Sequence, residues 1–169
     1  MPIYKFLVYN KTNDPRNGGL LRDAHALGHR HLESIQVQAL YFTEGQLSQK
    51  ELQQLALKLL SDPITQTVLW TELPSALSQP KDDSIILEVA LRPGVTDPVA
   101  RQLVRAAHAM GVHGVYRAAT GQRFIMCFNG DIDPIRASQS IADSLLANQV
   151  IQHWISGEIA PSFHEEATS

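Results

Sequence analysis

The chain has 169 residues, 44% hydrophobic and 18% charged, and its 14 Lys+Arg against 17 Asp+Glu leave a net charge of -3. Apolar content at this level offsets chain entropy and excludes a mainly disordered state, and a chain of this length buries roughly 68–70% of its unfolded surface. The acidic balance argues against a duplex nucleic-acid binder, which needs clustered Lys and Arg, and no run approaches the ~20 apolar residues of a membrane helix.

Ile3–Tyr9 is rich in β-branched and aromatic residues and reads as a strand. Asp14 then caps a helix that opens on Pro15, whose missing N–H costs nothing in the first turn, and Gly28 stands where that helix should end. Ser34–Thr43 is β-rich without Gly or Pro, so two strands joined by a very tight turn or a bend are expected. Ser48 and Glu51 form a capping box, and Leu52, Leu55, Ala56, Leu59 and Leu60 make the buried stripe of a second helix. Ile64–Trp70 is a closing strand, and Thr71–Asp83 has the Pro, Ser and charge content of a linker.

The pattern then starts again. Ser84–Leu91 reads as a strand, Asp97-Pro98 as a helix start, Leu103, Ala106, Ala107 and Met110 as an apolar stripe, and Gly111 as its end. Gly114–Ala118 and Arg123–Phe128 flank Ala119-Thr120-Gly121-Gln122, which predicts a hairpin. Asp133-Pro134 opens the last helix, continued by Ile141, Ala142, Leu145 and Leu146, and Val150–Ile155 closes the series before a polar tail, Gly157–Ser169. Asp14–Gly28 and Asp97–Gly111 share eight of fifteen positions, and Leu59–Gln66 aligns with Leu145–Gln152 in the same order. These matches predict two copies of one unit. The expected architecture is α+β: two tandem ferredoxin-like β-α-β-β-α-β units packed about an internal pseudo-two-fold axis, each covering the other's open sheet face. The expected boundaries are 1–70 for the first unit, 71–83 for the linker, 84–156 for the second unit and 157–169 for a frayed polar tail.

Catalytic signatures are missing from the sequence. It has no phosphate-cradling G-x-x-x-x-G-K-[ST] loop and no G-x-S-x-G elbow. The single Cys127 excludes an internal disulfide, and within the apolar FIMCF strand it reads as a buried structural thiol. His25 and His29 have the four-residue spacing of paired metal ligands, but Gly28 intervenes and no third ligand is obvious, so solvent or interface histidines are the favoured reading. His25 and His108 fall at equivalent places, a helix position shared by the two copies. Trp70 and Trp154 near the closing strands read as core edges in preference to interface anchors. The most motif-like loop is Arg92-Pro93-Gly94 with Asp97. It is either a rigid turn into a capped helix or a platform presenting Arg92 and Arg101 to a partner's carboxylates, and Arg92, Asp97 and Arg101 are the candidate docking residues.

Val89–Leu103 (VALRPGVTDPVARQL) resembles the signature of PurS, the small subunit of phosphoribosylformylglycinamidine (FGAM) synthase: a strand, Lys/Arg-Pro-Gly-Val, then Asp-Pro opening a helix. Leu145–Trp154 (LLANQVIQHW) is similar to that family's closing segment, with Gln149 where proline is usual. Tyr41–Gly45 and Leu59–Ile64 are similar to the N-terminal domain of the large fused synthases, itself like two PurS copies in tandem; the first copy has Asn10-Lys11-Thr12-Asn13 in place of the Pro-Gly pair. The resemblance spans residues 3 to 156. It implies a non-catalytic subunit of an ATP-dependent, glutamine-using carbon–nitrogen ligase of purine biosynthesis. Its partners would be a PurL-like synthetase and a PurQ-like glutaminase, with help to ammonia transfer between them. No catalytic, cofactor or metal site is expected in this chain, ATP and magnesium belonging to the synthetase. No nucleic acid or membrane partner is expected, and the compartment is the reducing cytoplasm, Met1–Phe6 having no secretory pattern. Two other readings stand beside it: an ACT-like module binding a small molecule between paired units, resting on fold analogy alone, and the N-terminal portion of a longer fused synthase.

Overall fold

The computed structural model describes residues 1–74 and 83–163. Its strands are β1 (Ile3–Asn10), β2 (Leu32–Glu44), β3 (Gln66–Glu72), β4 (Ile85–Leu91), β5 (Arg117–Phe128) and β6 (Gln152–Ser156). Its helices are α1 (Pro15–Ala26), α2 (Gln49–Gln54), α3 (Pro98–Ala109) and α4 (Pro134–Ile141). The expected caps close them: Asp14, Asp97 and Asp133 each accept first-turn N–H groups, with proline at the head of the helix, and Ser48 and Glu51 make the full capping box. In both halves the second helix widens into π-helical turns, Leu55–Leu60 after α2 and Ala142–Leu146 after α4. Among the described residues no helix is long and apolar enough to cross a membrane.

All strands form one antiparallel sheet in the order β3-β1-β2-β5-β4-β6. The hairpins expected within Ser34–Thr43 and at Ala119–Gln122 do not form. Each region is one continuous strand, and β2 ladders against β5 from Leu32↔Phe128 to Glu44↔Arg117. Only the second part of β2 also pairs with β1, from Ala39 to Glu44, and only Gly121–Met126 of β5 pairs with β4. Unfolding each hairpin into a straight strand exchanges a local turn for an inter-half ladder. Gly121 therefore serves close packing: a Cβ there would stand 2.7 Å from the Val89 carbonyl. The two halves are joined side by side through β2 and β5, not stacked with one sheet over the other.

The four helices of the described residues lie on one face, and both apolar cores beneath them draw on both halves. Tyr4, Phe6 and Val8 of β1 and Leu52, Leu55 and Leu60 from the second helical segment pack with Ala100, Leu103 and Ala107 of α3. Ala24 of α1, with Leu20 and Leu21, packs with Leu87, Val89, Phe124, Met126, Ile141 and Leu146. Each half thus lends its first helix to the other half's core. At roughly 1.5–3 kcal/mol per fully buried large apolar side chain, this interdigitation binds the halves into one cooperative body. Trp70 and Trp154 are half-buried at the margins of these cores.

The helix-free face carries Leu7, Leu40, Phe42, Ala90 and Ala119, and Ile159, only 4% exposed, packs on them. Residues expected to fray thus lie against the sheet as far as Phe163, because they bring an apolar side chain and an acid to it. Of the expected linker, Thr71 and Glu72 belong to β3, and residues 75–82 lie outside the described residues, as does the end of the tail from 164 on.

Candidate functional site

The three sequence-derived docking residues do not converge. Asp97 faces inward: one carboxylate oxygen accepts the Ala100 N–H at 2.9 Å, and the other accepts the Thr120 N–H at 2.9 Å and its hydroxyl at 2.8 Å, tying α3 to β5. Arg101 is exposed in the first turn of α3. Arg92 is exposed and turns the other way, its Nε donating to the Gln149 carbonyl at 2.8 Å and its backbone N–H to the Ile151 carbonyl at 2.8 Å.

That contact belongs to a construction built twice, at the outer corners of the sheet ahead of β3 and β6. In the turn before β3, Asp62 accepts the Ile64 N–H on its side chain (3.0 Å), and its own N–H donates to the Gln66 side-chain carbonyl (2.9 Å). In the turn before β6, Asn148 accepts the Val150 N–H (3.1 Å), and its N–H donates to the Gln152 side-chain carbonyl (2.8 Å). The Asp62 and Asn148 backbone carbonyls each accept the N–H of that glutamine at 2.7 Å. A cation from the neighbouring loop completes each corner: Lys11 Nζ donates to the Pro63 carbonyl at 2.7 Å where Arg92 donates to that of Gln149. The Asp/Asn side chain mimics a backbone turn, and the glutamine four residues on locks it. The tips are Ile64, 84% exposed, and Val150, 83% exposed. Sequence reasoning aligned these segments as repeat evidence but overlooked the Asp/Asn-x-x-x-Gln spacing that signals the locked turn.

On the helix-free face lies a buried ionic cluster with no sequence signal. Lys5 Nζ donates to both Glu88 oxygens at 2.9 Å, and Arg123 Nε to one of them at 2.7 Å. Glu158, 28% exposed, reaches Lys5 at 3.4 Å and Arg123 at 3.3 Å, and the Ile159 N–H donates to Glu88 at 2.8 Å. Two cations face two anions, so the cluster is neutral and fastens the segment after β6 to the sheet. Beside it, the Arg117–Glu44 pair (3.0 Å) stacks under Phe163.

The remaining candidates hold structural posts. His25 and His108 each meet a carbonyl, of Leu32 and Val115, at 2.7 Å, so the shared position fastens each helix end to the segment that follows. His29 contacts the Ser144 hydroxyl at 3.3 Å, apart from His25's partner. Cys127 is half-buried, 3.3 Å from the Ser84 hydroxyl. Among the described residues no three His, Cys, Asp or Glu side chains gather as a metal would require. A depression between Phe42, Ala90, Asp97, Thr120 and Pro161 encloses only about 10 Å³, far below the usual ~300–1,000 Å³ of ligand sites. Its only carboxylate, Asp97, is spent on Ala100 and Thr120. Asp14, the first-half counterpart of Asp97, takes the Arg16 guanidinium at 2.6 Å, and this hydrogen bond holds its carboxyl below the ordinary range. Burial raises the Tyr41 hydroxyl.

The six-stranded antiparallel sheet with four helices among the described residues is compatible with ferredoxin-like units. Residues 84–157 match the family model described as PurS, phosphoribosylformylglycinamidine (FGAM) synthase. The match takes in β4, α3, β5, α4 and β6, so the second half of the chain is PurS-like and points to an FGAM synthase subunit of purine biosynthesis. No curated protein sequence matches the chain.

Proposed function

We propose that the chain is two PurS units fused in tandem, serving as the non-catalytic subunit that bridges the synthetase and glutaminase of FGAM synthase and supports ammonia transfer between them. The PurS match over residues 84–157 carries this reading. Three features of the first half support it: the sequence repeat, a sheet order that reads alike outward from the β2–β5 junction, and twin corner turns. The Lys5 and Glu88 of the ionic cluster stand 83 residues apart, the offset that also separates Asp14 from Asp97. Divergence between the halves makes the two ends of the body similar in frame and different in chemistry, as a bridge between two unlike subunits requires. ATP and magnesium belong, on this reading, to the synthetase, and the assembly works in the cytoplasm.

Reconstitution from purified synthetase, glutaminase and this chain tests the proposal. Omitting the chain is expected to abolish glutamine-dependent FGAM formation while ammonia-dependent formation persists. Glutamine-dependent turnover that is unaffected by omission would end this reading.

A further inference from the structure

The sheet register brings equivalent positions of the two halves together at their junction. Lys5 lies opposite Phe42 and Leu7 opposite Leu40, as Glu88 lies opposite Arg123 and Ala90 opposite Gly121. With Lys5 and Glu88 separated by the Asp14–Asp97 offset of 83, Phe42 corresponds to Arg123 and Leu40 to Gly121. Leu40 is itself paired with Gly121 across β2 and β5, so the halves are related about that pair. In all three correspondences the residues are unlike: cation for anion, aromatic for cation, large for small. Lys5 meets Glu88 through both carboxylate oxygens at 2.9 Å, and both side chains are fully buried. A Cβ at position 121 would stand 3.7 Å from that of Leu40 and 2.7 Å from the Val89 carbonyl. With Glu158 on Lys5 and Arg123, the seam sums to zero charge. Two first halves joined in this way would bury two lysines with no acid. Two second halves, each with its Glu158, would set four acids against two arginines around a pair of glycines. Uncompensated charge at positions this buried is strongly destabilising.

We propose that the β2–β5 junction is a heterotypic interface at which a first half accepts a second half and rejects its own kind, selected by Lys5 against Glu88 and Leu40 against Gly121. The proposal rests on the reading of the chain as two fused units and adds how those units choose each other. Selection works by exclusion, because either like pairing leaves buried charge unpaired. Each folded body then holds one half of each kind, so its two ends always differ. The matching half is defined by its seam and not by its chain, so a second copy of this protein supplies it when the chain's own half does not fit. Residues 73–84 lie between β3 and β4, and a stretch of that length spans up to about 40 Å, enough for two chains to exchange halves.

Two full-chain variants test the proposal. Lys5→Glu sets three acids against Arg123, and Glu88→Lys sets three bases against Glu158. Each alone is expected to lower the melting temperature by roughly 6–20 °C. Mixed in equal amounts and refolded together from urea, the two variants can exchange halves, which makes both seams neutral again. Native mass spectrometry is expected to show a one-to-one dimer of the two variants that melts above either alone, and no such dimer of either variant with wild type. Joint refolding keeps the mixture readable even where a single variant does not fold alone. Lys5→Glu and Glu88→Lys combined in one chain are expected to recover at least half of the lost melting temperature. A mixture in which unlike chains associate no more than like ones, or a combined variant no more stable than either single one, would overturn the selective seam. That result would leave the wild-type chain's support of glutamine-dependent turnover untouched. Loss of that support with the seam results intact would overturn the proposed function alone.

Discussion

Replacing Glu88 with Gln removes one charge from the buried cluster at nearly constant volume. The Glu88 carboxylate holds Lys5 through both oxygens, Arg123 through one, and the Ile159 N–H. Without it, Lys5 and Arg123, 0% and 2% exposed, share only Glu158, at 3.4 and 3.3 Å and itself 28% exposed. Leaving a buried charge uncompensated costs about 3–5 kcal/mol, a large share of the ~5–15 kcal/mol typical of a folded domain. At about 2–4 °C per kcal/mol for a chain of this size, the melting temperature should fall by roughly 6–20 °C. Urea denaturation followed by circular dichroism measures the loss, and hydrogen exchange should show the Ile159 amide losing protection first. The triple replacement Lys5→Met, Glu88→Met, Arg123→Met leaves only the partly exposed Glu158 charge and should cost less than Glu88→Gln alone. A loss below about 1 kcal/mol for Glu88→Gln, the range of exposed ion pairs, would show that the cluster is hydrated and does not fasten the segment after β6.

Gly45 sits just after β2 at φ +150°, and a Cβ there would run into the Gly114 carbonyl. Gly45→Ala should therefore cost about 2–6 kcal/mol, backbone strain and overpacking together. Gly94→Ala, at φ +86° with open space around it, should cost only about 1 kcal/mol; equal losses in urea melts would refute the steric argument. Asp14 has a folded carboxyl held below its unfolded range by Arg16, so its contribution is fully present above the unfolded value near ~3.9 and is lost as pH falls through the lower folded value. The stability difference between wild type and Asp14→Asn should accordingly shrink below about pH 4. It should also weaken in salt, because Arg16 is more than half exposed. A difference that is flat from neutral pH down to acid unfolding would contradict this assignment.

Much of the fold was legible because its signals are local. Asp-Pro pairs, the Ser48–Glu51 box and the leucine stripes each satisfy or bury groups within one or two turns of chain, and the helices begin where those residues place them. The doubled pattern was legible too, since it needs only comparison of the chain with itself. The Arg92–Asp97 loop was legible as a motif, but its contacts were not: Arg92 braces a corner, whereas Asp97 spends its carboxylate on Ala100 and Thr120. The choice between hairpin and straight strand was not legible. Ala119–Gln122 carries an acceptable turn sequence, and what overrides it is a ladder to β2, about eighty residues away in the chain. The ionic cluster escaped for the same reason, because a lone charge within a strand reads as a solvated face until its counter-charge arrives from a distant strand.

Where helices start thus follows from residues a few positions apart, whose hydrogen bonds close within the segment itself, and the doubled sequence pattern from setting the chain against itself. Which strands adjoin, which helix fills which core and which charges are buried were decided only when distant segments met. Pairing and desolvation energies depend on neighbours that the order of residues does not name.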